Sequence, residues 1–460
     1  MKNLIGTKEF YKKALAIALP VIIQNAITSF VAMLDNIMVG RLGTDPMSGV
    51  AIVNQLIFVF NVIVFGGLSG AGIFCAQFYG KNDVDGVSQT FRFKLYTAFM
   101  LFVAAAGVFA FFGDTLVSFY LYETDGIGNI AATKEYAVSY IRIMIVGLLP
   151  FSIGQVYSST LRECGRIKLP MIAGIIAVAC NTCLNYILIF GKFGMPKLGA
   201  DGAAIATVIS RFLECIIIIS ATHLRKKDNP FAVYFYKTFK ISFEVSKSIF
   251  TKGSLLLINE MLWSTGIAIM NQCYSYRGLS AVAAVNITTT ITNLFNIIYL
   301  AMGSVVAIMV GQLLGADKKK EAVTTAKQLL VLSVGVTATI GIIMSFFSGA
   351  FPKIYNTQDE VRLIARNLIL ISSIMLPPHA FCHSGYFVLR SGGNTKSVLL
   401  VDGGFMYLFV IPLSICLSRF TSLPITWLYM FIQGAEFLKC FIIYKMLKSK
   451  NWVRNIVKNI

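Results

Sequence analysis

The sequence has few charged residues: Asp, Glu, Lys and Arg make up 13% of its 460 residues. A soluble domain carries roughly 25%. Negatively charged residues are fewer than positively charged ones, with 21 Asp and Glu against 40 Lys and Arg. So little charge excludes a soluble globular protein of ordinary composition, because such a protein covers its surface with charged side chains.

Residue patterns that build common enzyme centres are also missing. Only three histidines are present, and no His-Glu-x-x-His zinc motif occurs. The phosphate-binding motif Gly-x-x-x-x-Gly-Lys-Ser/Thr is absent as well, which argues against an ATP-driven pump. Cys180 and Cys183 form a C-x-x-C, but it lies in an apolar stretch without a second pair, so we interpret both cysteines as packing residues. We expect no enzymatic activity, and no cofactor other than a transported proton or sodium ion.

Long apolar stretches are abundant, since 56% of the residues are hydrophobic. A helix needs roughly 20 mostly apolar residues to cross the hydrocarbon layer. Twelve stretches of this kind lie at approximately 14–39, 48–78, 93–112, 136–160, 169–190, 200–223, 248–275, 281–312, 326–351, 363–389, 397–418 and 424–446. We predict an all-α integral membrane protein with twelve transmembrane helices.

The first apolar stretch follows Lys8, Lys12 and Lys13. It is too long for the apolar region of a signal peptide, which has roughly 7–15 residues, so we interpret it as the first span. Most of the 40 Lys and Arg residues fall in the N-terminal tail, alternate loops and C-terminal tail. The positive-inside rule then places both termini in the cytoplasm, with the chain as a multi-pass protein of the membrane. The net charge of +19 is therefore interpreted as a topology signal that faces membrane lipids, and no nucleic-acid partner is expected.

The two halves of the chain repeat each other at an offset of about 225–236 residues. The matching positions are Leu161, Arg162, Gly165 and Lys168 with Leu389, Arg390, Gly393 and Lys396; Pro150 with Pro378; Val53 and Asn54 with Val285 and Asn286; and Gln77 and Gly80 with Gln312 and Gly315. Residues 1–223 form the predicted N-lobe, 224–247 a cytoplasmic linker and 248–460 the predicted C-lobe. Because each half has six spans, the repeat is parallel, as in two-lobed secondary transporters that bind substrate between their lobes and rock for alternating access.

Five acidic residues lie at least one helical turn inside predicted spans, where a charge costs about 2.5–3.5 kcal/mol at the bilayer centre on insertion scales. Glu214 and Glu436 each have a basic residue three positions away, Arg211 and Lys439, and Asp402 lies near a helix end; we interpret these three acids as structural. Asp35 and Glu260 have no basic residue within one helical turn. They are the candidate sites of reversible protonation or cation binding.

Neutral polar residues extend this candidate site. Asn181 and Asn185 are four residues apart and so share one face of the fifth span, and Thr207 of the sixth span could join them near Asp35. A sodium ion near Asp35 and Asn181 is one possibility, and interhelical hydrogen bonding alone is the other. Aligning the halves places Gln24 opposite Glu260 and Asn271 opposite Asp35, so both amides are further candidates.

Prolines inside spans kink helices and free carbonyl groups. Pro20, Pro150, Pro377 and Pro378 occupy such positions, which predicts paired hinges in the two halves. His379 and His383 follow the last of these prolines and could transfer protons.

Several segments together resemble the multidrug and toxin extrusion (MATE) family across nearly the whole chain. They are Leu34-Asp35-Asn36-Ile-Met-Val-Gly40, Ala76-Gln77 with Gly80, Leu161-Arg162 with Gly165 and Pro170, Asn-Thr-Cys-Leu-Asn-Tyr-Ile-Leu-Ile-Phe-Gly at 181–191, and Leu198-Gly199 through Thr207. The resemblance implies a cation-coupled antiporter of twelve helices that exports amphipathic, often cationic drugs. It also implies that Asp35 is the coupling aspartate, with Asn181 and Thr207 beside it, and that Glu260 matches a seventh-helix glutamate.

Two departures from the family pattern leave the coupling ion open. Asn185 stands where many prokaryotic members have a second aspartate, and the tenth span has no acidic residue. The alternative function is a flippase for lipid-linked saccharides within the same superfamily, but few basic residues lie in the spans to bind phosphate. We expect small-molecule substrates and a monomer.

Overall fold

A computed structural model describes residues 4–121, 129–235, 238–355, 357–458 and 460, and these residues are nearly all helical. The first half forms α1 (Lys8–Gly40), α2 (Thr44–Gly80), α3 (Val84–Ser118), α4 (Ile130–Glu163), α5 (Lys168–Phe190), α6 (Gly199–Leu224) and the short α7 (Pro230–Phe235). The second half forms α8 (Phe243–Ser275), α9 (Leu279–Gly315), α10 (Lys319–Phe347), a 3₁₀ turn (Phe351–Ile354), α11 (Asp359–Ser391), α12 (Thr395–Leu399), two π-helical turns (Leu400–Gly404 and Met406–Val410), α13 (Ile411–Phe420) and α14 (Ile425–Lys448). The π-helical turns join α12 and α13 into one helical stretch, Thr395–Phe420.

Within the described ranges, eleven helical stretches are long and apolar enough to cross a membrane. The twelfth predicted span is also a helix, α14, whose 24 residues extend over about 36 Å at 1.5 Å per residue. Its apolar stretch contains two charged residues, Glu436 and Lys439. The prediction of an all-α, multi-pass membrane protein is confirmed.

Several helices are longer than the hydrocarbon layer requires. The 37 residues of α2 extend over about 55 Å, against a layer of about 30 Å. Large apolar side chains remain exposed on helix surfaces, among them Phe111, Phe346 and Leu408, at 79–85% of their full accessible area. In water such residues would be unfavourable, whereas lipid chains accommodate them.

The repeated sequence motif around Arg162 and Arg390 ends a helix in each half. Gly165 and Gly393 both adopt a positive φ, 77° and 72°, which glycine reaches without a Cβ clash. Their backbone N–H groups donate to the carbonyls of Arg162 and Arg390, each across 2.8 Å. The glycine is therefore part of a left-handed helix stop, and the lysine three residues later lies in the first turn of the next helix.

The second repeated motif, Gln77 to Gly80 and Gln312 to Gly315, forms a reciprocal contact. A Cβ on Gly80 would overlap the backbone carbonyl of Gln312, and a Cβ on Gly315 would overlap that of Gln77. The ends of α2 and α9 thus approach each other closely at two glycines. The fully buried Gln77 side chain donates to the Ser391 carbonyl across 2.8 Å and accepts from the Ile456 N–H across 2.8 Å.

By contacts, the chain forms two compact units. The first-half unit contains Ile23–Cys75 and Val84–Lys247, and the second-half unit contains Met1–Ile22, Ala76–Asp83 and Ser248–Ile460. These units overlap the predicted lobes but differ from them at the first helix and at the end of the second. The boundaries at 223 and 248 stay a prediction about the sequence repeat.

Each unit is a bundle with a central helix. In the first-half unit, α6 packs on both α4 and α5, and α3 packs on α4 and on the short α7 from the predicted linker. In the second-half unit, α11 packs on α9, α10 and α14. Side chains on α5 and α6, and those on α11 and α14, are therefore held in fixed positions inside their own bundles.

Candidate functional site

Four polar side chains predicted from the sequence meet inside the first-half unit, and we call them the Asp35 cluster: Asp35 of α1, Asn181 and Asn185 of α5, and Thr207 of α6. The Asn185 side-chain N–H donates to the Asp35 carboxylate across 2.6 Å and lies 3.2 Å from the Asn181 carbonyl oxygen. Asn181 in turn donates to the Thr207 hydroxyl across 3.3 Å. The structure thus links three helices through one chain of hydrogen bonds that begins at a carboxylate.

The geometry of α5 explains why both asparagines take part. Residues four apart lie one above the other on a helix, so their side chains point the same way. Asn185 is 1% exposed and Asn181 is 7% exposed. The side-chain oxygen of Asn185 is buried and has no hydrogen-bond partner. An unsatisfied buried oxygen beside a carboxylate is an arrangement that a bound cation or proton would complete.

Tyr140 and Arg211 line the same region. The sequence did not single out Tyr140, and it suggested Arg211 only as a neighbour of Glu214. The buried Tyr140 of α4 interacts with Thr207 and Arg211. Arg211 lies 4.9 Å from the centre of the Phe151 ring and donates to the Gly147 carbonyl across 3.4 Å. A tyrosine in an apolar helix is usually a packing residue. Only the contacts in the structure therefore show that Tyr140 belongs to this region.

Glu214 has the basic neighbour that the sequence suggested and a second one. Besides Arg211 on its own helix, it interacts with Arg162 at the end of α4. Arg162 belongs to the repeated motif that ends α4. Glu214 therefore interacts electrostatically with two guanidinium groups, which agrees with the interpretation of this acid as structural.

Glu260 lies in the second-half unit and contacts α11. Its carboxylate accepts a hydrogen bond from the Tyr386 hydroxyl across 3.2 Å. Arg390, one turn beyond Tyr386, adds an electrostatic interaction and lies over the Tyr386 and Phe387 rings. Glu260 is thus a paired acid, whereas the sequence showed no base within one turn of its own helix.

Gln24 and Asn271 are not among the residues that contact these acids. Gln24 packs with its amide against Gly174 of α5, about two turns before Asn181. Asn271 is exposed near the end of α8. Both were candidates because of the alignment of the two halves. In the structure, neither of them contacts Asp35 or Glu260.

A second group of charged residues, which we call the Lys439 network, lies between helices of the second-half unit. The Lys439 ammonium is 2.7 Å from the Asp402 carboxylate and 3.9 Å from that of Glu436. Asp402 also accepts from the Asn259 amide across 2.9 Å. His379 completes the network, with its Nδ1 3.7 Å from Glu436. The Asp402 side chain is 17% exposed and paired, which agrees with the interpretation of this acid as structural.

The two candidate histidines differ in their surroundings. His379 contacts Glu436 and Gln433 of α14, whereas His383 packs against the rings of Tyr299, Tyr386 and Phe387.

The predicted hinge prolines lie inside continuous helices: Pro20 in α1, Pro150 in α4, and Pro377 and Pro378 in α11.

The donor atoms at the Asp35 cluster suit a hard cation or a proton. The cluster offers a carboxylate, amide oxygens and a hydroxyl, and such oxygen ligands are typical for ions of the sodium and magnesium type. Over the part of the chain that the structure describes, no three His, Cys, Asp or Glu side chains come close enough to hold a metal ion. In the Asp35 cluster itself, the donors are one carboxylate and neutral amide and hydroxyl oxygens.

Comparison with known families then decides the class of the protein. The sequence profile of the MatE family matches residues 20–187 and again residues 256–416. The chain belongs to the MatE family. The two matches fall in the two halves, as the repeat requires, and the resemblance to the MATE family that the motifs suggest is confirmed.

Other MatE proteins align over most of the chain. A probable multidrug resistance protein NorM of Thermotoga maritima is 24% identical over 90% of this chain and 87% of its own length. The probable multidrug resistance protein YoeA of Bacillus subtilis is 25% identical over 92% of this chain and 90% of its own.

Solved MATE structures share the fold. The Vibrio cholerae MATE transporter VcmN superimposes with a TM-score of 0.86 at 17% identity, covering 98% of this chain and all of that one. An outward-facing MATE transporter superimposes with a TM-score of 0.86 at 16% identity, covering 98% of this chain and 97% of the other. At these identities the likeness establishes the two-lobed MATE fold.

Proposed function

We propose that this MatE protein exports amphipathic, often cationic small molecules in exchange for protons or sodium ions. The observation that carries the proposal is the Asp35 cluster, in which a carboxylate inside a spanning helix is tied to α5 and α6 by amide and hydroxyl groups. A carboxylate held away from water is stabilised by any cation that reaches it. A proton, a sodium ion and a cationic drug can therefore compete for the same negative charge, which is the basis of exchange.

The names of the relatives support a drug rather than a lipid as substrate. The relatives reported above are named multidrug resistance proteins. A flippase for lipid-linked saccharides needs basic side chains for phosphate. Within the first-half unit, Arg162 and Arg211 both interact with Glu214. These two guanidinium groups are therefore partly neutralised, and the flippase alternative is not favoured.

Movement between inward- and outward-open states is proposed to use the proline positions. Pro20 lies two residues before the point where α1 changes from the second-half to the first-half unit. A proline removes one backbone hydrogen bond from its helix and so weakens it there. We propose further that the protein is a monomer of the bacterial cytoplasmic membrane with both termini inside.

Everted membrane vesicles with the full chain test the proposal. Drug export is measured with a proton gradient alone and with a sodium gradient alone, and drug addition should dissipate the gradient that drives export. Vesicles with the Asp35→Asn variant serve as the matched comparison. If drug addition dissipates neither gradient in vesicles that contain the unaltered protein, the proposed function is wrong.

A further inference from the structure

An apolar groove of about 440 Å³ opens on the surface of the second-half unit. Pro377, Pro378 and Phe381 of α11 lie along it, with Val334 of α10 on one side and side chains of α14 on the other. A proline ring projects less far from its helix than a phenylalanine does, which accounts for a depression at this place. The volume lies within the range of small-ligand sites, roughly 300–1,000 Å³. We call this depression the Pro378 groove.

The side of the groove that α14 forms is a row of aromatic rings. Phe437, Phe441 and Tyr444 are spaced by four and three residues, so they share one face of the helix. Each of the three side chains is 55–57% exposed. Aromatic surface of this extent is unfavourable in water but is accommodated by lipid chains. In a membrane, the Pro378 groove therefore fits an apolar chain.

The groove has positive charge at one end only. The Lys445 ammonium lies 4.4 Å from the centre of the Phe441 ring, and Lys448 follows Tyr444 by one helical turn. Both lysines are exposed, and within the described ranges no acidic side chain lies within salt-bridge distance of either. Lysines at one end of a span are a common topology signal. That signal does not require an ammonium directly over a ring that lines a groove.

The distance between the apolar and the charged part matches half a bilayer. Phe437 lies near the middle of α14 and Lys448 ends it, so the two are about 16 Å apart along the helix at 1.5 Å per residue. The hydrocarbon layer is about 30 Å thick, which gives one leaflet about 15 Å. An acyl chain of one leaflet could therefore follow the aromatic row while the phosphate of the same lipid lies beside the lysines.

We propose that the Pro378 groove binds one anionic phospholipid of the phosphatidylglycerol type. One acyl chain lies along the aromatic row, and the phosphate is held by the ammonium groups of Lys445 and Lys448. The Tyr444 hydroxyl can donate a hydrogen bond to the same headgroup, as tyrosines at the membrane interface do. This lipid site is additional to the proposed exchange function and does not depend on what the protein transports.

The charge at the groove decides between the possible occupants. Two ammonium groups repel a cationic drug, so the Pro378 groove is not a site for such a substrate. They also disfavour a zwitterionic lipid of the phosphatidylethanolamine type, because its headgroup brings a positive charge of its own. An anionic headgroup is complementary to both lysines.

Native mass spectrometry of the detergent-solubilised full chain tests the choice of lipid. Phosphatidylglycerol and phosphatidylethanolamine with identical acyl chains are titrated separately, and the dissociation constant of the first bound lipid is measured. We expect tighter binding of phosphatidylglycerol. The double variant Lys445→Gln with Lys448→Gln should weaken it about 25-fold. The control is Lys226→Gln with Lys227→Gln, which removes the same charge from two exposed lysines after α6 and should change nothing.

A second pair of variants tests the apolar part of the site. Val334→Trp places a larger side chain in the groove and should weaken phosphatidylglycerol binding although both lysines remain. Ile342→Trp is the matched control, because Ile342 is 61% exposed on the same helix and does not line the groove.

Three results would overturn the lipid site. They are equal affinity for the two lipids, an equal loss of affinity in the two double lysine variants, and equal affinity in Val334→Trp and Ile342→Trp. The same spectra show the mass of the assembly. A dimer that Val334→Trp dissociates would also overturn the inference, because a second copy of the chain would then occupy the groove.

Discussion

Asn185 donates its side-chain N–H to the Asp35 carboxylate across 2.6 Å, which joins α5 to α1 inside the first-half unit. This contact places an amide where many prokaryotic MATE proteins have a second acid. The cluster therefore has one negative charge rather than two. One bound cation neutralises it fully, and the following predictions test what that charge does.

Asp35→Asn should abolish coupled export while the protein still inserts into the membrane. The substitution keeps the shape of the side chain but removes the charge that a proton or sodium ion would neutralise. Gradient dissipation on drug addition in everted vesicles measures the effect. Asp114→Asn is a suitable control, because Asp114 is 65% exposed and pairs with Lys134. Normal export by Asp35→Asn would contradict the assignment of this residue.

Glu260→Gln should impair coupling through the second half. Glutamine still offers an oxygen to the Tyr386 hydroxyl, which now lies 3.2 Å from the carboxylate, but it has no charge to balance Arg390. Tyr386→Phe removes the hydrogen bond and keeps the acid, so it should cost less activity. Equal export by Glu260→Gln and the unaltered protein, at matched expression, would show that Glu260 is a structural acid.

Asn185→Asp should make export depend on sodium. It would place two carboxylates at hydrogen-bonding distance, and like charges so close must share a proton or bind a cation. The buried and unpartnered oxygen at position 185 is already available as a ligand. Export is measured at constant pH with and without a sodium gradient, in the variant and the unaltered protein. The prediction fails if sodium has the same effect on both.

Lys94→Met should destabilise the first-half unit. Lys94 of α3 is fully buried, and its ammonium contacts the Glu163 carboxylate and the hydroxyls of Ser159 and Thr160. Removing one partner of a buried ion pair costs about 3–5 kcal/mol, because the other charge stays buried. Thermal unfolding in detergent measures the loss. The double variant Lys94→Met with Glu163→Leu should recover most of it; no recovery would mean that packing rather than charge is responsible.

Gly80→Ala and Gly315→Ala should each lower stability by about 1–3 kcal/mol, the usual cost of overpacking. At both positions an added methyl would overlap a backbone carbonyl, which cannot move aside as a flexible side chain can. Gly107→Ala in α3 is the control, since no atom lies within 4 Å of the added carbon there. Unfolding temperatures equal to that of Gly107→Ala would contradict the close approach of α2 and α9.

The fold class and much of the Asp35 cluster could be predicted from the sequence. Membrane spans are recognised from the length of an apolar stretch, and that length depends only on residues that are consecutive in the sequence. Asn181 and Asn185 share a face because a helix has a fixed period. Asp35 was found as an acid inside a span without a nearby base and Thr207 as a polar residue of the next span, and the family resemblance supported both. The repeated Gly165 and Gly393 were visible as a match, although only the structure showed that both have a positive φ and end a helix.

The partners of Lys439 could not be found this way. Along the sequence its nearest acid is Glu436, three residues earlier, whereas in the structure its shorter contact is with Asp402 of another helix. The alignment of halves placed Gln24 and Asn271 at candidate positions, yet neither contacts an acid of the site. A repeat preserves the backbone path, and side-chain partners diverge with each substitution.

The sequence by itself thus determined that the chain crosses a membrane, that its halves repeat, and which acids lie within spans. Only the tertiary structure decided which groups those acids meet. In a soluble helix the apolar face reveals which side is buried, but a helix in lipid is apolar nearly all round. Its rotation about its own axis is therefore set by packing against distant parts of the chain, and that rotation brings Asp402 to Lys439 and Asp35 to Asn185.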